Sequence, residues 1–372
     1  LLEPLRAFAL DRLKAHDEQH AAAHAHADHL LQQQGDLAWH DLPWVEAELD
    51  NVRAALRWAI DHAHTDTALR LILGVSWYLE TNSLQREEVG LFEAALALPD
   101  GDGDLRLHAL MRGATPAWQL GRHGQARDWL HAALPAVQGR PWPEGELLVR
   151  ITLARVEIES GHPQAALLHL HAGLRLPPGG EGARASLLFH LADANVALGQ
   201  PGRARAYVHE GLGVCREQPG LFWEAHLLTI QAGLDLDDGQ VGAARASLAR
   251  ALELLASTLH SRILTLALSH LACTYATPAA DHADLLRAAR LWGLVEAQRE
   301  ASAQPLAVHH AGYLGRSLQA ARRRVPEAAW RRAWESGRAL GLREGWAESI
   351  GVLREDAGAG LTLTDALALR SG

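Results

Sequence analysis

The chain reads as an all-α protein, a solenoid of helical hairpins, and three observations carry that prediction. The first is a phrase that returns four times: Gly, Ala five residues on, Leu or Val at nine, and Leu at thirteen. Its copies are Gly121-Ala126-Leu130-Leu134, Gly161-Ala166-Leu170-Leu174, Gly199-Ala204-Val208-Leu212 and Gly239-Ala244-Leu248-Leu252. The second is the period. Successive copies lie 40, 38 and 40 residues apart, the length of a helical-hairpin repeat. The third is a pair of further restricted positions. A small residue follows each Gly by twelve (Ala133, Gly173, Gly211, Ala251), and an Ala precedes it by seven (Ala114, Ala154, Ala192, Ala232).

Steps of four from Ala to Leu to Leu run along one helical face, which must be buried. The small residues mark where two backbones come close. The Gly at the origin ends the first helix, A, in the left-handed conformation that Gly adopts at little cost. His162-Pro163 and Gln200-Pro201 then open the second helix, B, with Pro in its first turn. A single hairpin cannot bury its own apolar face, so neighbours must stack and share one continuous core. At roughly 1.5–3 kcal/mol per buried Leu-sized side chain, stacking outweighs intrinsic helix propensity.

This pattern resembles the tetratricopeptide repeat, which places small residues at the matching points of its two helices. The resemblance implies a right-handed superhelix of such hairpins. The period exceeds the roughly 34 residues of that family, and the Pro/Gly-rich stretches Gly139-Arg140-Pro141-Trp142-Pro143 and Pro177-Pro178-Gly179-Gly180 account for the excess. A degenerate unit around Ser83, with Glu88, Phe92, Ala95 and Leu96, keeps the register but lacks the Gly and the first Ala.

Composition narrows the function. The formal net charge of −9 argues against a dedicated nucleic-acid surface. Lys14 is the single lysine, as a GC-rich bacterial genome would give. Cys215 and Cys273 are too few for a disulfide framework and fit a reducing cytoplasm. No stretch has the length and apolarity of a membrane span, and no signal peptide opens the chain. The first residue is Leu1, which is expected of a piece of something larger.

At the ends the sequence is similar to a second family. Leu1 to Ala15, LLEPLRAFALDRLKA, reads as an amphipathic helix; His20 to Gln34 follows, then Leu42 to Ala59, LPWVEAELDNVRAALRWA. These stretches resemble the C-terminal helical-repeat region of STAND-class signalling ATPases and of MalT-like and SARP-like bacterial regulators, and His26 falls on a His typical of that family. Arg287-Ala288-Ala289-Arg290-Leu291-Trp292-Gly293, Glu296 to Glu300, and Ala333-Trp334-Glu335-Ser336-Gly337-Arg338-Ala339-Leu340 resemble its closing helices. The likeness runs from Leu1 to about Leu353. It implies a nucleotide module upstream of Leu1, since no GxxxxGK[ST] loop occurs here and one lysine allows none. No LuxR-type helix-turn-helix follows the repeats. The divisions expected are N-terminal helices over 1–40, the repeat array over 41–300, capping helices over 301–355 and a loosely ordered tail over 356–372.

Residue constellations give little chemistry. His16, His20, His24, His26 and His29 crowd one segment, and His20 and His24 are one turn apart, a spacing that can hold a metal near Asp17 and Asp28. A solvated helix face is the plainer reading, and no metal site is assigned. Asp235, Asp237 and Asp238 read as a loop and the cap of the next helix. Arg322-Arg323-Arg324 and Arg331-Arg332, near Glu327 and Glu335, read as a salt-bridged exposed helix. No nucleophile elbow or HExxH is present, and neither an enzymatic activity nor a cofactor is expected.

The A helices carry the candidate site. In a tetratricopeptide-like solenoid they line the concave surface, at thirteen, ten, six, three and two residues before each Gly. Those positions hold His108, Met111, Thr115, Trp118 and Gln119 in the first unit, and Leu148, Ile151, Arg155, Ile158 and Glu159 in the second. The third gives Ser186, Phe189, Asp193, Val196 and Ala197, the fourth His226, Thr229, Gly233, Leu236 and Asp237, and the degenerate unit Trp77. Trp77, His108, Met111, Trp118, Gln119, Arg155, Glu159, Phe189, Asp193 and His226 are therefore the candidate binding residues. Aromatic anchors among charges suit a protein or peptide partner, or a small effector. The expected function is a non-catalytic sensor or interaction domain of a bacterial signal-transduction ATPase or transcriptional regulator, cytoplasmic, touching neither nucleic acid nor membrane. A stand-alone scaffold linking partner proteins is the alternative.

Overall fold

The computed structural model describes residues 3–35, 42–82, 84–177, 182–218, 222–257, 262–302 and 308–356. Among these residues the chain is helix and turn, with no strand. It divides into two compact units, Leu1–Gly139 and Arg140–Gly372. The expected tail and the Pro177–Gly180 excess fall largely outside the described residues, as does Ser83. None of the described helices is long and apolar enough to cross a membrane.

The first unit holds α1 (Glu3–Ala15), α2 (Gln19–Gly35), α3 (Leu42–Asp61), α4 (Thr65–Thr81), α5 (Gln85–Leu96), α6 (Gly103–Gln119) and α7 (His123–Gln138). Each helix packs on the next, and α4 also packs on α2 and on α6, so alternate helices form a row. Leu30, Leu56, Leu69, Leu71, Ile72, Leu79 and Phe92 fill the core between them. Helix α1 leaves Phe8 65% exposed.

The second unit begins with α8 (Pro143–Glu159), α9 (Pro163–Gly173), α10 (Ala183–Ala197), α11 (Pro201–Glu217), α12 (Trp223–Asp237) and α13 (Val241–Leu254). It continues through α14 (Arg262–Thr274), α15 (His282–Ser302), α16 (Val308–Arg322), α17 (Glu327–Arg338) and α18 (Leu342–Asp356). Hairpin partners α8–α9, α10–α11 and α12–α13 pack extensively, and α8, α10, α12 and α14 stack in a row of alternate helices.

The repeated Gly residues do what their spacing predicts. Gly121, Gly161, Gly199 and Gly239 have φ of +73°, +81°, +66° and +73°. Each closes its A helix with the same two bonds. At Gly121 these run from its own N–H to the Trp118 carbonyl, 2.9 Å, and from the Arg122 N–H to the Ala117 carbonyl, 2.9 Å. The pair recurs at Gly161, Gly199 and Gly239, a Schellman ending that satisfies carbonyls the helix would otherwise leave bare. Pro163 and Pro201 are the first residues of α9 and α11. One expectation is corrected: Asp235 and Asp237 belong to the last turn of α12, Asp238 is its C-cap, and α13 starts from Gln240 with no side-chain cap. Asp235 and Asp238 instead accept hydrogen bonds from Arg205 of α11, at 2.8 and 2.6 Å.

The small residues mark backbone approach. Ala114, Ala133, Ala154, Ala192, Ala232 and Ala251 are fully enclosed. A Cβ on Gly173 would stand 3.0 Å from Leu187 Cδ2 of α10, and one on Gly211 would stand 2.7 Å from Leu227 Cδ1 of α12. Helices α9 and α11 thus meet the A helix of the next hairpin where the sequence keeps a side chain small. In the degenerate unit α4–α5, Glu88 occupies the place of the buried Ala and is itself 0% exposed. Neither of its oxygens has a hydrogen-bond partner, and Arg112 Nη2 lies 3.9 Å away. Burial outweighs that charge and pushes the Glu88 carboxyl up to about 8.

Past α14 the order of pairing changes. Helix α15 packs chiefly on α17 and much less on α16. Gly293 and Gly337 permit this, because a Cβ on Gly293 would overlap the Trp334 carbonyl oxygen and one on Gly337 would overlap that of Arg290. Arg322 pairs with Glu327 at 2.6 Å and Arg331 with Glu327 at 3.8 Å, the exposed ion pairs the sequence indicates. Arg324 instead donates to the Thr277 and Ala280 carbonyls, both at 2.6 Å.

Two outcomes follow from this packing. Gly293→Ala and Gly337→Ala each destabilise the protein by about 1–3 kcal/mol or more, whereas Gly202→Ala, with nothing within 4 Å of its Cβ, is neutral or stabilising; urea denaturation checks the contrast. Glu88 keeps its proton in the fold up to about pH 8, while an unfolded Glu loses it near 4.5. Its contribution is complete below pH 4.5 and is lost as pH rises through 8, so Glu88→Gln melts higher than the parent at pH 9 and loses that advantage at pH 5.

Candidate functional site

The sequence-chosen residues fall in both units. In the first, Trp77 and Met111 are half-buried, His108 is exposed, and Trp118 is 7% exposed, so its indole is packing between helices. Gln119 donates to Glu80 Oε1 at 2.9 Å, and Arg112 of the same helix reaches Glu80 Oε2 at 2.6 Å and Ser76 Oγ at 2.7 Å. This is a braced polar seam along α4 and α6.

The second unit brings its candidates closer together. Glu159, ending α8, accepts from Arg262 Nη2 at 2.9 Å, a link between the first and last members of the α8–α14 row. Arg155, one turn back, and Asp193 of α10 also act on Glu159, yet burial dominates and raises its carboxyl above the ordinary range. Asp193 Oδ1 lies 3.4 Å from His310 Nε2 of α16. Phe189, 9% exposed, meets the His226 ring edge-on at 5.1 Å, and both rings join His190 and Trp223 in one aromatic cluster.

Beside the chosen His226 lie two histidines that the register argument passed over, His190 and His270. His190 is enclosed beside Phe189, and burial, followed by the Arg155 charge, lowers it to about 3. Burial lowers His226 to about 4, against a hydrogen bond with the Phe222 carbonyl. His270 of α14, also lowered by burial to about 3, pairs with the Thr229 carbonyl at 3.2 Å. All three imidazoles are neutral at pH 7.

Helix α16 lies on this same face. It packs on α10, α14 and α15. His310 sits at Asp193 with its ring 5.9 Å from that of His270, Ser317 hydrogen-bonds the Cys273 thiol, and Arg316 acts on Asp237. Asp193 is therefore already engaged by the chain's own helix. No local pattern announces this, because contacts between α10 and α16 join residues more than a hundred positions apart. Cys215 and Cys273 are buried free thiols, pushed up to about 11 and about 12 by burial, which disfavours the nucleophilic thiolate.

The His-rich segment also gains members. His20 and His24 of α2 stand beside His62 and His64, at the α3–α4 turn, around the Trp58 indole. Burial, then the neighbouring His24, His20 and His62, lower His64 below its ordinary range. Among the described residues no three His, Cys, Asp or Glu side chains stand ready to hold a metal. The spacing within His16–His29 pointed to this place but could not show which distant residues complete it.

The buried histidines set an acid limit. Unfolded, each binds a proton near pH 6.5, while the fold refuses it until about 3–4. Their contribution is complete above pH 6.5 and is lost as pH falls toward 4, by about 1.4 kcal/mol per pH unit for each. Denaturation of the protein between pH 7 and 4.5 shows this fall, and His190→Gln makes it shallower.

In comparisons with known proteins, no family model matches the chain, and no curated protein matches it.

Proposed function

We propose that this chain is a non-catalytic sensor or protein-interaction region of a bacterial signal-transduction ATPase or transcriptional regulator. Its repeats form a tetratricopeptide-like right-handed superhelical solenoid, it works in the cytoplasm, and the row of A helices receives a protein, peptide or small effector. The STAND-class likeness of both ends supports an upstream nucleotide module on the same polypeptide. The observation that carries the binding reading is α16: a helix from elsewhere in the chain already lies on the α10–α14 face, with His310 on Asp193. A face shaped to hold one helix through a half-buried ion-pairing Asp, neutral imidazoles and an aromatic cluster suits a second helix of like chemistry. Binding there would compete with α16 and so alter its position, which gives an effector a physical route to the rest of the polypeptide.

Two measurements test this. The coding sequence on either side of Leu1–Gly372 is expected to encode a phosphate-binding loop upstream; a start codon directly before Leu1 would leave a stand-alone scaffold and overturn the regulator reading. In the full-length protein, Asp193→Lys with Arg155→Glu is expected to change nucleotide hydrolysis several-fold with the fold retained. Unchanged hydrolysis with and without effector would remove the face from the mechanism.

A further inference from the structure

Helices α14, α15 and α18 leave a cleft between them, wholly within the second unit. Its walls are apolar: Leu271 of α14, Leu291 and Leu294 of α15, Val352 of α18, and Leu340 from the turn before α18. Gly345 lets α18 lie against α15 at this point, since a Cβ there would overlap Leu294 Cδ2. About 400 Å³ of empty space lies between these walls and the mouth, which is open to solvent. At about 30 Å³ per heavy atom, the share of a water in the liquid, that space caps an occupant at roughly thirteen heavy atoms. Apolar walls with a few polar groups at the rim are the usual build of a small-molecule site.

The rim is cationic. Tyr275, 1% exposed, has the Arg245 guanidinium of α13 over its ring at 4.4 Å and that of Arg287 at 6.0 Å. Arg290 is already committed: Nε and Nη2 donate to the two Glu348 oxygens at 2.8 and 2.9 Å, and Nη1 donates to Ser336. The buried Ser349 spends its hydroxyl proton on the Gly345 carbonyl at 2.6 Å. Arg287 differs. Its ion pair among the described residues is a long contact from Nη1 to Asp284 Oδ1, 3.4 Å, and its side chain is 49% exposed. That leaves most of its five N–H donors for a ligand. Three cations (Arg245, Arg287, Arg290) against two anions (Asp284, Glu348) give this rim a net charge of +1, on a chain whose formal net charge is −9.

We propose that this cleft binds a small anionic amphiphile, an apolar body of up to about eight carbons ended by a single carboxylate. The body lies against the leucines and the carboxylate on Arg287. A carboxylate matches the guanidinium fork and accepts two parallel N–H bonds from it. Asp284 and Glu348 at the same rim repel a second negative charge, so a monoanion is the fit. Occupancy joins α18 to α14 and α15. None of the candidate residues of the A-helix face takes part, and the site stands or falls apart from the proposed function.

The test titrates the protein calorimetrically with octanoate at pH 7.5, and with 1-octanol and acetate, each of which keeps one half of the chemistry. Octanoate is expected to bind as one equivalent with a Kd of about 1 mM or tighter and to raise the melting temperature. The alcohol is expected to bind several-fold more weakly, and acetate not at all. Arg287→Gln, at an exposed side chain, is expected to weaken octanoate at least about 10-fold and to leave 1-octanol unchanged. Val352→Phe, which fills the cleft, weakens both. Arg331→Gln, at an exposed arginine of α17 that pairs with Glu327, changes neither. No saturable binding by the parent, equal octanoate affinity in the parent and Arg287→Gln, or an equal loss in Arg331→Gln would overturn the site. Should Val352→Phe lose its helical circular dichroism, the comparison of octanoate with 1-octanol in Arg287→Gln decides alone, since it leaves the walls intact.

Discussion

Everything in this chain depends on backbones being allowed to approach one another. Helices normally stand 8–10 Å apart, at a distance set by the side chains between them. In the hairpins that carry the full pattern an Ala stands where an A helix meets its own B helix, and Gly173 and Gly211 stand where α9 and α11 meet the next A helix. The enclosed Ala154 and Ala192, and the Leu187 methyls against Gly173, show the spacing that results. With that spacing fixed, the large side chains left over, Leu130, Leu153, Leu170 and Leu248 among them, are fully buried. The left-handed Gly joints then repeat the same turn from hairpin to hairpin.

The same constraint explains the close pairing of α15 with α17. Gly293 and Gly337 let α15 and α17 come closer than any other side chain would allow. Helix α16, between them in sequence, packs on α15 and also on α10 and α14, where His310 meets Asp193. Charge and burial meet at this face in an unusual proportion. Glu159, Asp193, Arg155 and Arg262 are largely withdrawn from water, and the neighbouring imidazoles are held neutral. Such groups hold their partners in defined geometry because every alternative arrangement strands a charge.

The repeat register made the helical hairpins, their joints and their buried small residues legible, because each is a local property with its own residue type. It even located Glu88, whose burial follows from its position five residues after Ser83. It was less able to tell a lining residue from a packing residue. Trp118 and Phe189 sit at face positions by count, yet neighbouring helices enclose them. His190, one position from Phe189, faces inward and escaped the count altogether. Nothing local distinguishes α16 from any other Ala-rich helix, so its seat on α10 was beyond sequence reasoning. The pairing of His20 with His62 and His64 was hidden for the same reason, since the rest of α2 and all of α3 separate them along the chain.

The close contact of α15 with α17 also sets an order of events during folding. Gly293 and Gly337 are 44 positions apart, whereas each repeat hairpin closes through a turn of a few residues. Loop-closure entropy makes the longer closure harder by roughly 2 kcal/mol, and nonlocal contacts of this kind form late. Helix α16 is part of that loop. On a ribosome the row from α8 to α14 is therefore complete while the segment that will cover it is still being synthesised. For that interval Asp193 and its neighbours face solvent, open to any helix that arrives first.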